Sequence, residues 1–258
     1  MPEAKILGIA SQKGGVGKTT TAAALIAGLT LQGYRVLGID TDAQANLTHT
    51  MQGRTDGHTV KGVLLGSSSA KESIQETPCG YLIAGDNDIL TAEAMLMPKL
   101  DRHTRLKNAL GPVMGAFDYI IIDTPPSLGI ATANALMACH KLIVPSGADI
   151  YSLQGIAQLA ETVGQARNGG NHSLAIAGIL LTRHSPRSIL SQEGTGLAEQ
   201  IASSLGTKVF TTRIREGVAI KEAQMSQKDI FSWAPTAKVT GDYKAFIEEL
   251  LQELRYGQ

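Results

Sequence analysis

Residues 11–20 read Ser-Gln-Lys-Gly-Gly-Val-Gly-Lys-Thr-Thr, a glycine-rich run holding two lysines. Glycine lets a backbone approach an anion closely and turn sharply. The N–H groups of Gly14, Gly15, Val16, Gly17 and Lys18 can therefore wrap a β-phosphate. A helix starting here adds unpaired N–H donors and a partial positive charge. Lys18 is then placed to bridge β- and γ-phosphates, Thr19 to set its hydroxyl on Mg2+, and Thr20 to reach the α-phosphate. The run departs from G-x-x-x-x-G-K-[ST] at Gln12, where glycine is usual, and carries Lys13 instead. An isolated lysine in such a loop reads as a solvated residue. Here it is a second cation beside the phosphates, suited to reaching a neighbouring nucleotide.

Carboxylates supply the other half of such a site. Gly38-Ile39-Asp40-Thr41-Asp42-Ala43-Gln44-Ala45-Asn46 ends a second apolar run. Alternate residues of a strand point to opposite faces, so Asp40 and Asp42 serve different tasks: one supporting the water shell of Mg2+, one orienting an attacking water. As a bare strand-to-loop turn, the same stretch would be ordinary, since Asp and Asn are common there. Tyr119-Ile120-Ile121-Ile122-Asp123-Thr124-Pro125-Pro126 ends a third run, and Asp123 is placed to hold Mg2+ through water. Thr124-Pro125-Pro126 reads as a stiff turn sensing the γ-phosphate, and Asp118 as structural.

The elements that must position these groups follow from hydrophobic periodicity. Strands are expected at Ile6–Ala10, Arg35–Asp40, Tyr81–Ala84, Tyr119–Asp123, Lys141–Pro145, Ala175–Thr182 and Lys208–Thr211. Continuous aliphatic runs mark parallel strands buried on both faces. Helices are expected at Thr20–Leu29, Ile89–Met97, Thr104–Leu110, Ala131–Ala138, Leu153–Ala166, Ile189–Leu205, Gly217–Met225 and Tyr243–Leu254. The alternation implies a mostly parallel twisted sheet flanked by helices on both faces, with ligands at the carboxyl ends of its strands. At 258 residues the chain suits one α/β domain, 1–258. With 43% hydrophobic but only 4% aromatic residues, the core must be aliphatic. The formal net charge is zero, so any nucleic-acid surface must be a local patch. Cys79 and Cys139 lack metal or redox spacing and read as reduced thiols. No targeting segment or membrane span is apparent, which suggests a cytoplasmic protein.

With the motifs in hand, the chain resembles the ParA/Soj family of partition ATPases, within the deviant Walker A group that also contains the MinD proteins. Lys13–Thr20 is similar to the deviant Walker A box, Asp40–Asn46 to the D-x-D-P-Q-x-N box with Ala43 in place of proline, and Ile122–Ser127 to the Walker B box. Asn134-Ala135-Leu136 follows as in that family, and weaker likeness at Gly178–Arg187 and Gly217–Ala223 extends it over nearly the whole chain. The resemblance implies a single-domain P-loop ATPase using ATP and Mg2+. It implies that Lys13 crosses a nucleotide-sandwich homodimer to the partner's phosphates, and that Gly14 lies where the subunits meet. Asp42 would position the hydrolytic water, and Asp40, with Thr19 and Asp123, would serve the metal.

The implied cycle runs from ATP-driven dimerisation to non-specific DNA binding. A ParB-like centromere-binding or cargo-adaptor protein then stimulates hydrolysis and releases the chain from the nucleoid. The chain begins at the nucleotide strand, so no N-terminal helix-turn-helix domain is expected. DNA-contact candidates are Arg183, Arg187, Arg213, Arg215, Lys221 and Lys228; Ala219 stands where the family often has arginine. A positioner of protein cargo, such as carboxysomes or chemosensory clusters, would share every motif. A P-loop metabolic ligase would not need Lys13. A MinD-like membrane role would want a basic amphipathic C-terminal helix, whereas Ile247–Leu254 is acidic. An iron–sulfur reductase relative would want a cluster-binding cysteine in a glycine-rich setting, which neither cysteine has.

Overall fold

The computed structural model describes residues 3–185 and 189–256. Seven strands form one sheet: β1 (Lys5–Ile9), β2 (Val36–Asp40), β3 (Ile74–Thr77), β4 (Gly80–Ile83), β5 (Tyr119–Asp123), β6 (Lys141–Ser146) and β7 (Ala175–Leu181). Their order is β3-β4-β2-β5-β1-β6-β7, parallel throughout except for β3, which pairs antiparallel with β4 at the edge. The helices are α1 (Lys18–Leu31), α2 (Asn46–Thr50), α3 (Val60–Leu65), α4 (Ala70–Ser73), α5 (Ile89–Leu96), α6 (Arg105–Leu110), α7 (Ile130–Ala138), α8 (Ile150–Asn168), α9 (Ile189–Ser204), α10 (Val218–Met225), α11 (Ile230–Trp233) and α12 (Lys238–Tyr256).

Strand periodicity divides the core in two. In β5, Ile120 and Ile122 join the cluster formed with α3, α5, α6, α7 and α8, while Tyr119 and Ile121 join the opposite cluster with α1, α11 and α12. In β1, Ile6 faces the first cluster, and Leu7 and Ile9 the second. Sheets covered on both faces need strands without a polar side, which is why these runs carry no alternation of apolar and charged residues. Helix α1 is buried along most of its length, between the sheet and α12.

One expected strand is absent. Lys208–Thr211 forms no strand; Val209 makes only an isolated bridge to Ile179, and Arg215 one to His184. Lys208 and Thr211 instead lean on α12, through Lys208 Nζ to Glu253 at 2.5 Å and Thr211 N to Glu249 at 2.7 Å. The Glu249 carboxylate takes the Thr211 N–H that a further strand could have used. The edge strand β3 was not expected, because Ile74-Gln75-Glu76-Thr77 has a single aliphatic residue. Polar residues are tolerated there because an edge strand need not be buried on both sides.

Candidate functional site

Three neighbouring strands end at one place. Ile9 of β1 and Asp40 of β2 both lie level with Asp123 of β5 between them. The glycine loop leaves β1 just above this point. Gly15 and Gly17 adopt left-handed φ of 73° and 85°, a conformation open to glycine and strained for other residues. Gly17 is the N-cap of α1 and offers no side-chain cap. The first N–H groups of that helix are therefore left for a ligand, which is the arrangement a phosphate uses.

The loop floors a cavity of about 490 Å3. Gly14, Gly15, Gly17, Lys18, Thr19, Thr20 and Asp42 line it, as do Gln44, Asn46, Pro126, Arg183 and Gln224. A second cavity of about 120 Å3 adjoins it beside Val16, Thr182, Ile214, Gly217, Ile220 and Tyr243. The predicted phosphate-loop residues are thus brought together, and Val16 opens toward the smaller space. Lys18 is buried, and its Nζ donates to Lys13 O at 3.2 Å, bending back over the loop. Burial pulls its pKa down, opposed by the carboxylates of Asp123 and Asp42.

The three carboxylates have distinct surroundings. Asp40 is fully buried, and its Oδ2 accepts from Thr48 N and Oγ1, both at 2.8 Å, while Oδ1 accepts from Asp42 N at 3.1 Å. Burial still raises its pKa to about 6, against those hydrogen bonds. Asp123 is also fully buried, and neither oxygen receives a hydrogen bond of sound geometry. Burial, and then the Asp40 carboxylate, push its pKa well above the usual range, with the nearby Thr19 hydroxyl and Lys18 opposing. Asp42 sits at the cavity wall, with Oδ1 accepting from Gln44 N at 3.0 Å.

This donor set fits Mg2+. A buried carboxylate lacking partners, a second one level with it and a threonine hydroxyl make an oxygen-rich spot short of positive charge. Thr19 and Asp123 are the residues that could face the ion, while Asp40 is committed to Thr48 and acts behind them.

Lys13 goes elsewhere. It does not line the larger cavity; its Nζ pairs with Asp149 Oδ1 at 2.7 Å. Asp149 is the N-cap of α8, with Oδ1 accepting from Ser152 N at 3.0 Å and Oδ2 from Ser152 Oγ at 2.6 Å. The Lys13 and Ser152 hydrogen bonds outweigh partial burial and hold its pKa down at about 2. Sequence reasoning missed Asp149. The Asp-x-x-Ser spacing announces a helix cap but not its ionic partner. Gln224 was missed too; its Nε2 donates to Thr20 Oγ1 at 3.1 Å and ties α10 to the loop helix. Thr124 donates to Ile9 O at 2.9 Å, so it clamps the Asp123 turn to β1, while Pro126 reaches the cavity. Asp118 caps the start of β2 through Arg35 N, the structural part expected of it.

The basic candidates do not form one group. Arg183 lines both cavities, and Arg215 and Lys221 line the smaller one. Arg215 is held by Asp242 through Nε and Nη2, both at 2.7 Å, Arg213 lies 3.9 Å from Glu199, and Lys228 sits over the Trp233 ring. Arg187 lies outside the described residues.

Comparison with known proteins places the whole chain in a family. A family model described as an AAA domain matches residues 4–176. The chromosome-partitioning ATPase Soj of Treponema pallidum is 34% identical over 249 residues, covering 96% of this chain and 97% of that one. The sporulation initiation inhibitor protein Soj of Bacillus subtilis is 36% identical over 250 residues, covering 95% and 98%. Among solved structures, cobyrinic acid a,c-diamide synthase from Mycobacterium smegmatis with bound ADP and magnesium superposes with a TM-score of 0.84 at 32% identity, covering 99% and 97%. A glycine loop opening a helix, two buried carboxylates level across adjacent strands and near-full-length likeness to the Soj proteins lead to one conclusion: the chain belongs to the ParA/Soj family of P-loop ATPases.

Proposed function

We propose that this chain is a partition ATPase whose ATP-bound homodimer holds non-specific DNA and lets go on hydrolysis. The observation that carries the reading is Lys13. A second lysine in the phosphate loop stands outside its own cavity, paired with Asp149 on the protein's outer face. Such a lysine is surplus to binding a nucleotide in its own subunit and is available to the nucleotide of a second copy.

Within one subunit, Lys18 neutralises the β- and γ-phosphates, and the N–H groups from Gly14 to Lys18 hold the β-phosphate. The Asp42 carboxylate, fixed by Gln44 N, orients a water in line with the γ-phosphate. Phosphoryl transfer asks mainly for positioning and charge neutralisation, so a carboxylate at the cavity wall is sufficient. Thr19 and Asp123 would hold Mg2+, which would supply positive charge for the phosphate oxygens. Lys13 of each copy completes the other's site, which couples hydrolysis to pairing. The likeness to Soj proteins supports chromosome or plasmid DNA as cargo and a ParB-like stimulating partner at the nucleoid, in the cytoplasm. No helix among the described residues is long and apolar enough to cross a membrane.

A second reading, a P-loop metabolic ligase, is favoured by the mycobacterial structure named as a cobyrinic acid a,c-diamide synthase with bound ADP and magnesium. One experiment separates them. Retention on unrelated DNA fragments is measured with no nucleotide, with ADP and with ATP. The partition reading expects retention with ATP alone, weakened by added salt whatever the DNA sequence. Equal retention in all three conditions removes it in favour of the ligase.

A further inference from the structure

The chain leaving β7 turns at Arg183 with φ of 51°. A side chain with a Cβ is strained there, and strain of this kind is kept where function fixes the backbone. The turn faces the phosphate loop. Arg183 Nη2 lies 3.4 Å, and Nη1 4.0 Å, from where a Cβ on Gly15 would stand, and Gly15 is itself left-handed. Among the described residues no hydrogen bond or ion pair engages this guanidinium, whereas Arg215 is clamped by Asp242 and Arg213 lies near Glu199. Among the described residues, Arg183 is also the one charged side chain that lines both the 490 Å3 and the 120 Å3 cavities.

We propose that Arg183 is a nucleotide-binding residue, its guanidinium covering the junction between the nucleoside and the first phosphates. The proposal rests on a nucleotide occupying the glycine-loop cavity. The physical grounds are local. The larger cavity carries the phosphate-binding N–H groups and Lys18, and the smaller is walled by Val16, Ile214 and Ile220. A nucleotide whose phosphates fill the first has its sugar or base at the mouth of the second, and Arg183 stands between them. A planar, permanently charged fork suits that place, because it donates to phosphate oxygens along its edge and stacks on a flat ring across its face. The contact is shared by ATP and ADP, since it does not involve the γ-phosphate. It also takes Arg183 away from the DNA-contact set that its charge alone suggests.

The test is equilibrium titration with ATP and with ADP, in Mg2+, on the full chain. Arg183→Ala raises Kd for both nucleotides and KM for ATP by about tenfold, with kcat within about twofold. Arg183→Lys recovers part of the loss. Arg183→Gly removes the side chain and the backbone strain together, so it keeps the fold if alanine does not, and it shows the same loss. Unchanged Kd in both the alanine and glycine variants overturns the proposal. So does weaker DNA retention at saturating ATP with nucleotide affinity intact, which returns Arg183 to the DNA surface. Lys18→Ala is the control for the underlying site. If it binds nucleotide normally, the cavity reading itself fails; if it does not, a silent Arg183 variant counts against Arg183 alone.

Discussion

The Lys13–Asp149 pair and the Asp40–Asp123 pair set opposite electrostatic problems, one at the surface and one in the interior. On the proposed reading, Lys13 leaves Asp149 to reach a second copy's phosphates, and an exposed ion pair contributes roughly 0.2–1 kcal/mol. Asp149→Asn keeps the α8 cap, because Asn caps as well as Asp, but releases the lysine. With one such pair broken in each copy, the protein concentration at which a non-hydrolysable ATP analogue gives dimers, measured by light scattering, should fall about two- to thirtyfold. A rise would mean that Lys13 keeps Asp149 in the closed pair. The buried aspartates act through pH. Burial raises Asp40 to about 6 and Asp123 well above its usual value, so the folded chain binds these protons more tightly than the unfolded one. Their contribution to nucleotide-free stability therefore grows as pH falls from neutrality through 6 and levels off near the ordinary aspartate value of 3.8. Mg2+ needs the ionised carboxylate, so Mg2+-dependent ADP affinity should fall over the same window. Asp123→Asn should flatten the stability trend in a thermal-unfolding series, and an unchanged trend would clear Asp123 of responsibility.

Elements place these residues, and the glycine loop shows how. Gly17→Ala should destabilise the chain by about 1–2 kcal/mol through its left-handed φ alone, since the added Cβ meets nothing closer than Thr182 Cγ2 at 3.9 Å. It should also weaken nucleotide binding, because Gly17 lines both cavities; differential scanning calorimetry and nucleotide titration report the two effects separately. Loop and carboxylates were legible in the sequence because each lies in contiguous residues at a strand end, where apolar run and motif reinforce each other. Val36–Asp40 and Tyr119–Asp123 appear as such runs and lie in register in the sheet. What was not legible depends on distant contacts. Asp149 meets Lys13 across 136 positions, and Gln224 meets Thr20 across 204. Lys208–Thr211 has strand character but finds α12 carboxylates instead of a second sheet neighbour. Arg183 looked like any surface cation until the turn after β7 brought it over Gly15.

At the scale of the whole molecule, charge sets what an ATP switch can achieve. Lysine and arginine together number 23, as do aspartate and glutamate, so no overall field draws the chain to DNA. Several basic residues are also engaged within the protein, Arg215 by Asp242 and Lys208 by Glu253. One subunit offers a phosphate backbone only the cations left outside such pairs. Counterion release makes log K fall with log salt in proportion to the number of phosphates contacted, with a slope near −0.9 per contact. Two subunits held side by side double that number and hence double both the electrostatic free energy and the salt slope. On the proposed reading, pairing alone would suffice to convert weak DNA affinity into retention, with no new contact inside either copy. Lys13→Ala isolates this step: it leaves Lys18 and the loop N–H groups in place, so ATP still binds, but no lysine reaches the partner's phosphates. In fluorescence-anisotropy titrations on unrelated DNA at several salt concentrations, the parent chain with ATP should show about twice the salt slope it shows with ADP, and Lys13→Ala with ATP should show the ADP slope. Equal slopes for the parent in ATP and ADP, or a full ATP slope in Lys13→Ala, would place the DNA switch within a single subunit.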